Sequence, residues 1–306
     1  MPSEFEFRVR EARKAVETEL RRLGRHAHTR VDEDAPLADR LGPALCMAAC
    51  GLLGGSLDAA TSSAAAVELS RVVFGRAPID VAGVEFGRPA RWSTRRTSPP
   101  VEALLQDAQR LNADAALRTL EVHAEMTREF AAGKQTIADW VKRRRWDIEQ
   151  LEYVKVVCQT KAWTTFVAPL MCGVVVANAS DERAQLFRRF AVLLGTANHI
   201  AREADDPYGG PGRRSLPLLH AVHSAEPGLR EELIDALAAS QPQAREAVRN
   251  TITVAGSLAY TRAFARHLAR QARSALEEAC SGLPPSRERD FLDAAVRDTL
   301  EGSFGQ

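Results

Sequence analysis

Three carboxylates, Glu203, Asp205 and Asp206, close the run Leu193-Leu194-Gly195-Thr196-Ala197-Asn198-His199-Ile200-Ala201-Arg202 and are followed by Pro207-Tyr208-Gly209-Gly210-Pro211-Gly212. Glu203 and Asp206 are three apart, so on a helix they share a face. Hard cations take oxygen ligands, and Mg²⁺ is commonly held by one or two carboxylates plus the phosphates of a substrate. The segment therefore predicts a metal–diphosphate site at a helix end, with Glu203, Asp205 and Asp206 as ligands. Arg202 sits inside it. A guanidinium there either displaces a ligand or pairs with phosphate oxygens itself, as Arg213 and Arg214 beyond the turn would. The alternative for all three arginines is a solvated loop with an Arg–Glu surface pair. His199 either donates a hydrogen bond within such a site or is a satisfied core histidine.

The elements that must carry these residues are helical. Apolar positions recur at i, i+3, i+4 and i+7 over roughly 4–23, 36–54, 57–74, 100–131, 135–143, 147–178, 181–204, 214–223, 228–239, 242–280 and 286–302, with Gly and Pro clusters between them. The one alternating run is Val81–Phe86, inside an irregular stretch at 75–100 that reads as a long loop of one domain spanning 1–306. The stretch from Val167 to Ala177 is apolar around most of a helix, which implies burial on several sides. Its Ala-rich neighbours suit core packing. Lys161, one of only five lysines, stands in this apolar region. It either snorkels to the surface or meets an anion.

Composition narrows the partners. Forty-one basic and 40 acidic residues leave no dominant sign, which argues against a nucleic-acid or membrane-surface binder. No run is long and apolar enough for a transmembrane segment, and the start of the chain lacks a signal-peptide pattern, so a cytoplasmic protein is expected. Five scattered cysteines without a Cys-x-x-Cys pair fit reduced thiols. Cys46 and Cys50, four apart in an Ala-rich run, suit helix packing. His220 and His223 lack a third ligand for zinc, and Lys142–Trp146 reads as a solvated helix end.

The order of segments resembles the trans-isoprenyl diphosphate synthase (polyprenyl synthetase) family over most of the chain. Pro36-Leu37-Ala38-Asp39-Arg40-Leu41-Gly42-Pro43 is similar to the family's Gly-Gly-Lys-Arg-Leu-Arg-Pro segment. Ala64-Ala65-Ala66-Val67-Glu68-Leu69 looks like the helix leading to its first aspartate-rich motif. Trp146 through Lys161-Ala162 resembles its Tyr-to-Lys-Thr segment, and Leu194-Gly195 through Asp206 falls at its second aspartate-rich motif. Ser215-Leu216-Pro217 resembles its Thr-Leu-Pro, and Leu283-Pro284-Pro285-Ser286-Arg287 its C-terminal helices. The resemblance implies an all-α, isoprenoid-synthase-type helical bundle around a central cavity, an isoprenyl diphosphate ligand, Mg²⁺ and a homodimer.

The departures are chemical. Where the first motif belongs the chain reads Pro78-Ile79-Asp80-Val81-Ala82, with a helix-breaking proline and one acid. Glu85-Phe86 replaces an Arg-Arg ahead of Gly87-Arg88-Pro89. Arg202 and Glu203 stand for the second motif's first two aspartates, and Asn198-His199 for its Phe-Gln. Asn198, Arg202 and Asp206 also faintly resemble the Asn-Ser-Glu motif of class I terpene cyclases. By resemblance, Lys161, Arg40, Arg88, Arg213 and Arg214 would bind substrate, Lys161, Asn198, His199 and Arg202 would act on it, and Glu203, Asp205 and Asp206 would hold a weakened Mg²⁺ site. Three functions follow as expectations. The chain is a divergent enzyme that ionises, cyclises or transfers a prenyl group, terpene-synthase-like or prenyltransferase-like. Alternatively it is an inactive regulatory subunit in a heteromer with an active prenyl synthase, or a prenyl-lipid binding protein.

Overall fold

A computed structural model describes residues 3–22, 40–76, 111–207, 214–239 and 242–301. The described residues form helices and no strand, so the all-α expectation is borne out. The irregular stretch at 77–100, including Asp80, the alternating run and Arg88, lies outside the described residues, as does Arg213.

In chain order the helices are α1 (Glu4–Arg22), α2 (Gly42–Leu52), α3 (Leu57–Arg76), α4 (Ala113–Lys142) and α5 (Gln150–Val157). A π-helical segment (Cys158–Val167) leads directly into α6 (Ala168–Val176). After it come α7 (Asp181–Glu203), α8 (Leu216–Ser224), α9 (Pro227–Ala239), α10 (Pro242–Val254), α11 (Ser257–Ala279) and α12 (Arg287–Glu301). Two boundaries differ from the periodic reading. Helix α4 runs unbroken through Gly133-Lys134, and the long 242–280 segment is split at Gly256, whose φ of 63° ends α10.

The helices start and stop for local reasons. Asn112 caps α4 by accepting from the Ala115 amide at 2.8 Å, and Ser180 caps α7 through the Arg183 amide. Arg144 ends α4 in the left-handed region (φ 50°), with the Arg145 amide reaching back to the Trp140 carbonyl at 2.9 Å. Asn178 ends α6 in the same way at φ 56°.

Packing is built around the π segment and α6, whose residues 162–175 are all buried. Helix α2 crosses α6 at Gly173, where an added Cβ would lie 2.0 Å from the Cys46 carbonyl oxygen. Helix α1 closes this side with Phe5, Val9, Ala12, Val16 and Leu20, and the Phe5 ring stacks on Phe291 of α12 at 4.8 Å. A second apolar cluster joins Trp140, Trp146, Tyr153, Ile200, Leu216 and Leu219. Each large side chain buried in this way contributes about 1.5–3 kcal/mol. The cysteines are free and largely buried, and burial pushes the Cys50 thiol to about 11 and the Cys172 thiol to about 12. They behave as small core side chains, as the sequence implies.

Candidate functional site

Helices α4 and α7 approach the π segment through glycines. A Cβ on Gly133 would lie 2.6 Å from Thr160 Cγ2, and one on Gly195 would lie 2.9 Å from the Cβ atoms of Ala162 and Phe166. These contacts bracket Lys161. It is the one exposed residue between 159 and 175.

The wider turn around Lys161 has a visible cause. Pro169 has no N–H to donate and its ring excludes a carbonyl four residues back, and the π segment ends just before it. The Lys161 carbonyl instead accepts from the hydroxyls of Thr165 at 2.8 Å and Thr164 at 3.0 Å. Because the single Thr165 proton is spent there, the 2.9 Å contact between Thr165 Oγ1 and His199 Nε2 has the histidine as donor. The Phe166 ring meets His199 edge-on at 6.1 Å. His199 is thus tied through Thr165 to the segment that carries Lys161. Arg202, one turn further on α7, is half-buried. Asn198 is 1 % exposed, and its Oδ1 has no hydrogen-bond donor.

The carboxylates separate. Helix α7 ends at Glu203, and Ala204–Pro207 form a turn, so the shared helical face assumed for Glu203 and Asp206 does not extend to Asp206. Glu203 is buried at 6 % exposure. Its Oε1 accepts from the Tyr153 hydroxyl at 2.5 Å, and its Oε2 accepts from the Leu216 amide at 2.9 Å. Ser215 occupies the N-cap position of α8, yet its hydroxyl turns back to the Pro207 carbonyl at 2.7 Å. Glu203 takes over the capping of α8 and locks the end of α7 against α5 and α8. Asp205 pairs with Arg262 of α11 at 3.2 Å, both side chains about half exposed. Asp206 is exposed.

Arg214 also serves the framework. It is 9 % exposed, lies 4.5 Å over the Trp146 ring and donates to the carbonyls of Arg145 at 3.0 Å and Trp140 at 3.3 Å. Burial lowers its pKa. The basic run at 142–146 is accordingly mixed: Lys142, Arg143 and Arg144 are exposed, while Trp146 is buried under Arg214. Arg40 lies just ahead of α2 and is half-buried.

Among the described residues no group of three His, Cys, Asp or Glu side chains could hold a metal ion. With Glu203 engaged by two donors and Asp205 paired to Arg262, these residues do not fit a Mg²⁺ cluster. A groove of about 400 Å³ between α1 and α3, lined by Glu11, Lys14, Thr18, Glu19, Asp58 and Thr61, lies on other elements than Lys161.

The sequence reading missed one cation. Lys134 follows Gly133 on α4, is half-buried, and lies close enough to Lys161 for the second ammonium to lower its pKa. Burial is the larger cause, and together they bring Lys134 to about 8. The rarity of lysine and the adjacent helical glycine were the available signals.

No family model matches the chain. A small subunit of a heterodimeric geranylgeranyl pyrophosphate synthase, chloroplastic, from Cannabis sativa is 25% identical over 175 residues, 50% of this chain. The match spans 60% of that protein's length, under two thirds of it. Among solved structures, geranylgeranyl pyrophosphate synthetase from Pyrococcus horikoshii Ot3 superimposes with a TM-score of 0.75 at 17% identity, covering 97% of this chain and 98% of that one. Geranylgeranyl pyrophosphate synthase from Corynebacterium glutamicum, complexed with isoprenyl diphosphate and magnesium, gives 0.72 at 15% identity, covering 98% and 99%. The chain therefore has the all-α fold of the trans-isoprenyl diphosphate synthases.

Proposed function

We infer that this chain, built on the trans-isoprenyl diphosphate synthase fold, binds an isoprenyl diphosphate and acts as a non-elongating subunit that adjusts an active prenyl synthase. The observation that carries this reading is the engagement of Glu203 by Tyr153 and Leu216. Ionising an allylic diphosphate develops charge on the leaving group, and metal ions are the usual means of stabilising it. A buried carboxylate that caps one helix and anchors a tyrosine is not available for that work. The likeness to a subunit whose printed name is that of a heterodimeric synthase's small subunit supports the same reading. Lys161, half-buried Arg202 and the His199–Thr165 pair remain as groups able to hold the diphosphate.

A second reading keeps the chain as an enzyme in its own right, transferring or cyclising a prenyl group. It is favoured by His199, whose Nε2 is held by Thr165 on the segment that carries Lys161, which suits a hydrogen-bonding role toward a ligand. Either reading accommodates a homodimer or a heteromer in a reducing compartment such as the cytoplasm, which the buried free thiols suit. No described helix is long and apolar enough to cross a membrane.

The test is to add the purified chain to an active isoprenyl diphosphate synthase from the same organism, with isopentenyl and allylic diphosphates and Mg²⁺. A changed rate or product chain length, with co-elution of the two proteins, is expected. Elongated, cyclised or transferred prenyl product from the chain alone would favour the second reading instead.

A further inference from the structure

From Ser257 to Leu276, helix α11 carries Arg262, Arg266, Arg270 and Arg273 and no acid. The near-neutral total of the chain, which argues against a membrane-surface binder, averages over this segregation. Spacings of four, four and three residues bring the arginines within about 80° of one another around the helix, in a row about 16 Å long. All four are exposed. The opposite side of α11 is small and buried, with Thr261, Ala265, Ala269, Ala272 and Ala275, so the helix lies close along α7 and presents the row on a rigid backbone. Carboxylates meet only its ends. Arg262 pairs with Asp205 at 3.2 Å, and the Asp293 carboxyl feels Arg273. Arg266 and Arg270 make no hydrogen bond or ion pair among the described residues. Like charges four apart on a helix repel, so the middle of the row is destabilising in the isolated chain.

We propose that the arginine row of α11 is a docking surface for anionic lipid headgroups, which holds the protein against a negatively charged bilayer. Such docking does not depend on what the π segment and α7 bind. A protein partner is gripped by buried aromatic or aliphatic anchors. Among the described residues the large exposed apolar side chains, such as Leu151 and Val254, all lie on other helices, and the arginines of α11 are interspersed with Ala259, Ala263 and Ser274. Single-stranded nucleic acid stacks on exposed rings, whereas Tyr260 and Phe264 of α11 are part-buried, Tyr260 against His220. Headgroups need neither feature. A straight row of cations on the outside of a helix meets a flat anionic surface with all its charges at once, and each arginine raises partitioning about fivefold. Four together give an increase on the order of 10³, which is reversible attachment rather than anchoring.

The experiment is co-sedimentation of the full chain with vesicles of equal parts phosphatidylcholine and phosphatidylserine, and with vesicles of phosphatidylcholine alone, at about 50 mM and about 500 mM KCl. The variants are Arg266→Gln/Arg270→Gln, the charge-keeping Arg266→Lys/Arg270→Lys, and the control Arg143→Gln/Arg144→Gln, which removes the same charge from the exposed end of α4. The parent should pellet with the phosphatidylserine vesicles at low salt, stay in solution with phosphatidylcholine, and be released at high salt. The glutamine pair in α11 should lower the partition coefficient about 25-fold, while the lysine pair and the control change it by less than about twofold. The glutamine pair should melt no lower than the parent, because repulsion is relieved.

Equal behaviour of the two vesicles at low salt would overturn the proposal, as would the glutamine pair pelleting as the parent does, or the α4 control losing the binding instead. If the glutamine pair failed to fold, vesicle binding that persisted at high salt, or was lost in the lysine pair, would count against it equally. Single- and double-stranded oligonucleotides are titrated at the same low salt by fluorescence anisotropy. Oligonucleotide binding that the glutamine pair abolishes, with the vesicles left unbound, would assign the row to nucleic acid and overturn the lipid assignment.

Discussion

Replacing Glu203 by glutamine separates a structural carboxylate from a metal ligand. The side chain is 6 % exposed and accepts two hydrogen bonds, from the Tyr153 hydroxyl at 2.5 Å and the Leu216 amide at 2.9 Å. Glutamine has one acceptor oxygen and one NH₂ group: the oxygen can keep the Leu216 amide, while the Tyr153 hydroxyl turns its proton to the Arg214 carbonyl at 3.1 Å and accepts from the NH₂ group, so both bonds to the carboxylate charge are lost. Hydrogen bonds to a charged group are worth about 1.5–3 kcal/mol against about 0.5–1.5 kcal/mol for neutral ones, so the two together weaken by about 2–3 kcal/mol. Loss of the buried charge removes a desolvation penalty and offsets part of this, leaving about 1–2 kcal/mol of destabilisation. With an unfolding entropy of roughly 2.1 cal/mol/K per residue, the 306-residue chain should melt about 2–3 °C lower. Differential scanning calorimetry of Glu203→Gln, Tyr153→Phe and the double variant reads the effect, and the cycle should show a coupling of about 1–2 kcal/mol. A metal ligand would behave otherwise: without metal the substitution would be neutral or stabilising, and protection by added Mg²⁺ would vanish. That result would refute the structural role assigned to Glu203.

Gly173→Ala places a Cβ 2.0 Å from a backbone oxygen of α2, so the two helices must part, and a loss of about 3 kcal/mol or more is expected in urea unfolding. Arg144→Gly removes a side chain from the left-handed region at an exposed helix end and should raise stability by about 0.5–1 kcal/mol in the same assay. His123 on α4 is 5 % exposed, contacts Ser70 Oγ through Nδ1 at 3.3 Å, leaves Nε2 without a hydrogen-bond partner, and is lowered by burial to about 4. Its folded-state pKa is below the ordinary 6.5, so this part of the stability is present above about pH 6.5 and is lost as pH falls toward 4. The loss amounts to about 3 kcal/mol across that window, and His123→Leu should flatten the acid limb of a stability–pH profile.

The fold was legible because long apolar periodicity at 3.6 residues and Gly/Pro stops are local properties of the chain. Where that reading slipped, tertiary contact explains it. Gly133 resembles a helix break, and a mid-helix glycine costs about 1 kcal/mol, but here the missing Cβ is what admits Thr160. The same contact hid Lys134, whose meeting with Lys161 involves residues 27 positions apart in sequence. For the carboxylates, spacing showed that Glu203 and Asp206 could share a face only if the helix continued, and it stops at Glu203. Nothing local to Glu203 announces that it caps α8, because the donor is the Leu216 amide across a turn and the expected cap, Ser215, points to Pro207. His199 was singled out by type and position, yet the donor role of its Nε2 follows from a Thr165 hydroxyl already committed to the Lys161 carbonyl.

The central claim is that the chain holds an isoprenyl diphosphate without ionising it. Single-turnover incubation of excess purified chain with labelled geranylgeranyl diphosphate and Mg²⁺, assayed for bound ligand and released pyrophosphate, tests this most directly. The account predicts that ligand is retained by the protein and recovered intact, with pyrophosphate release no faster than in buffer. Stoichiometric pyrophosphate release with a prenyl alcohol, hydrocarbon or transferred product would contradict it.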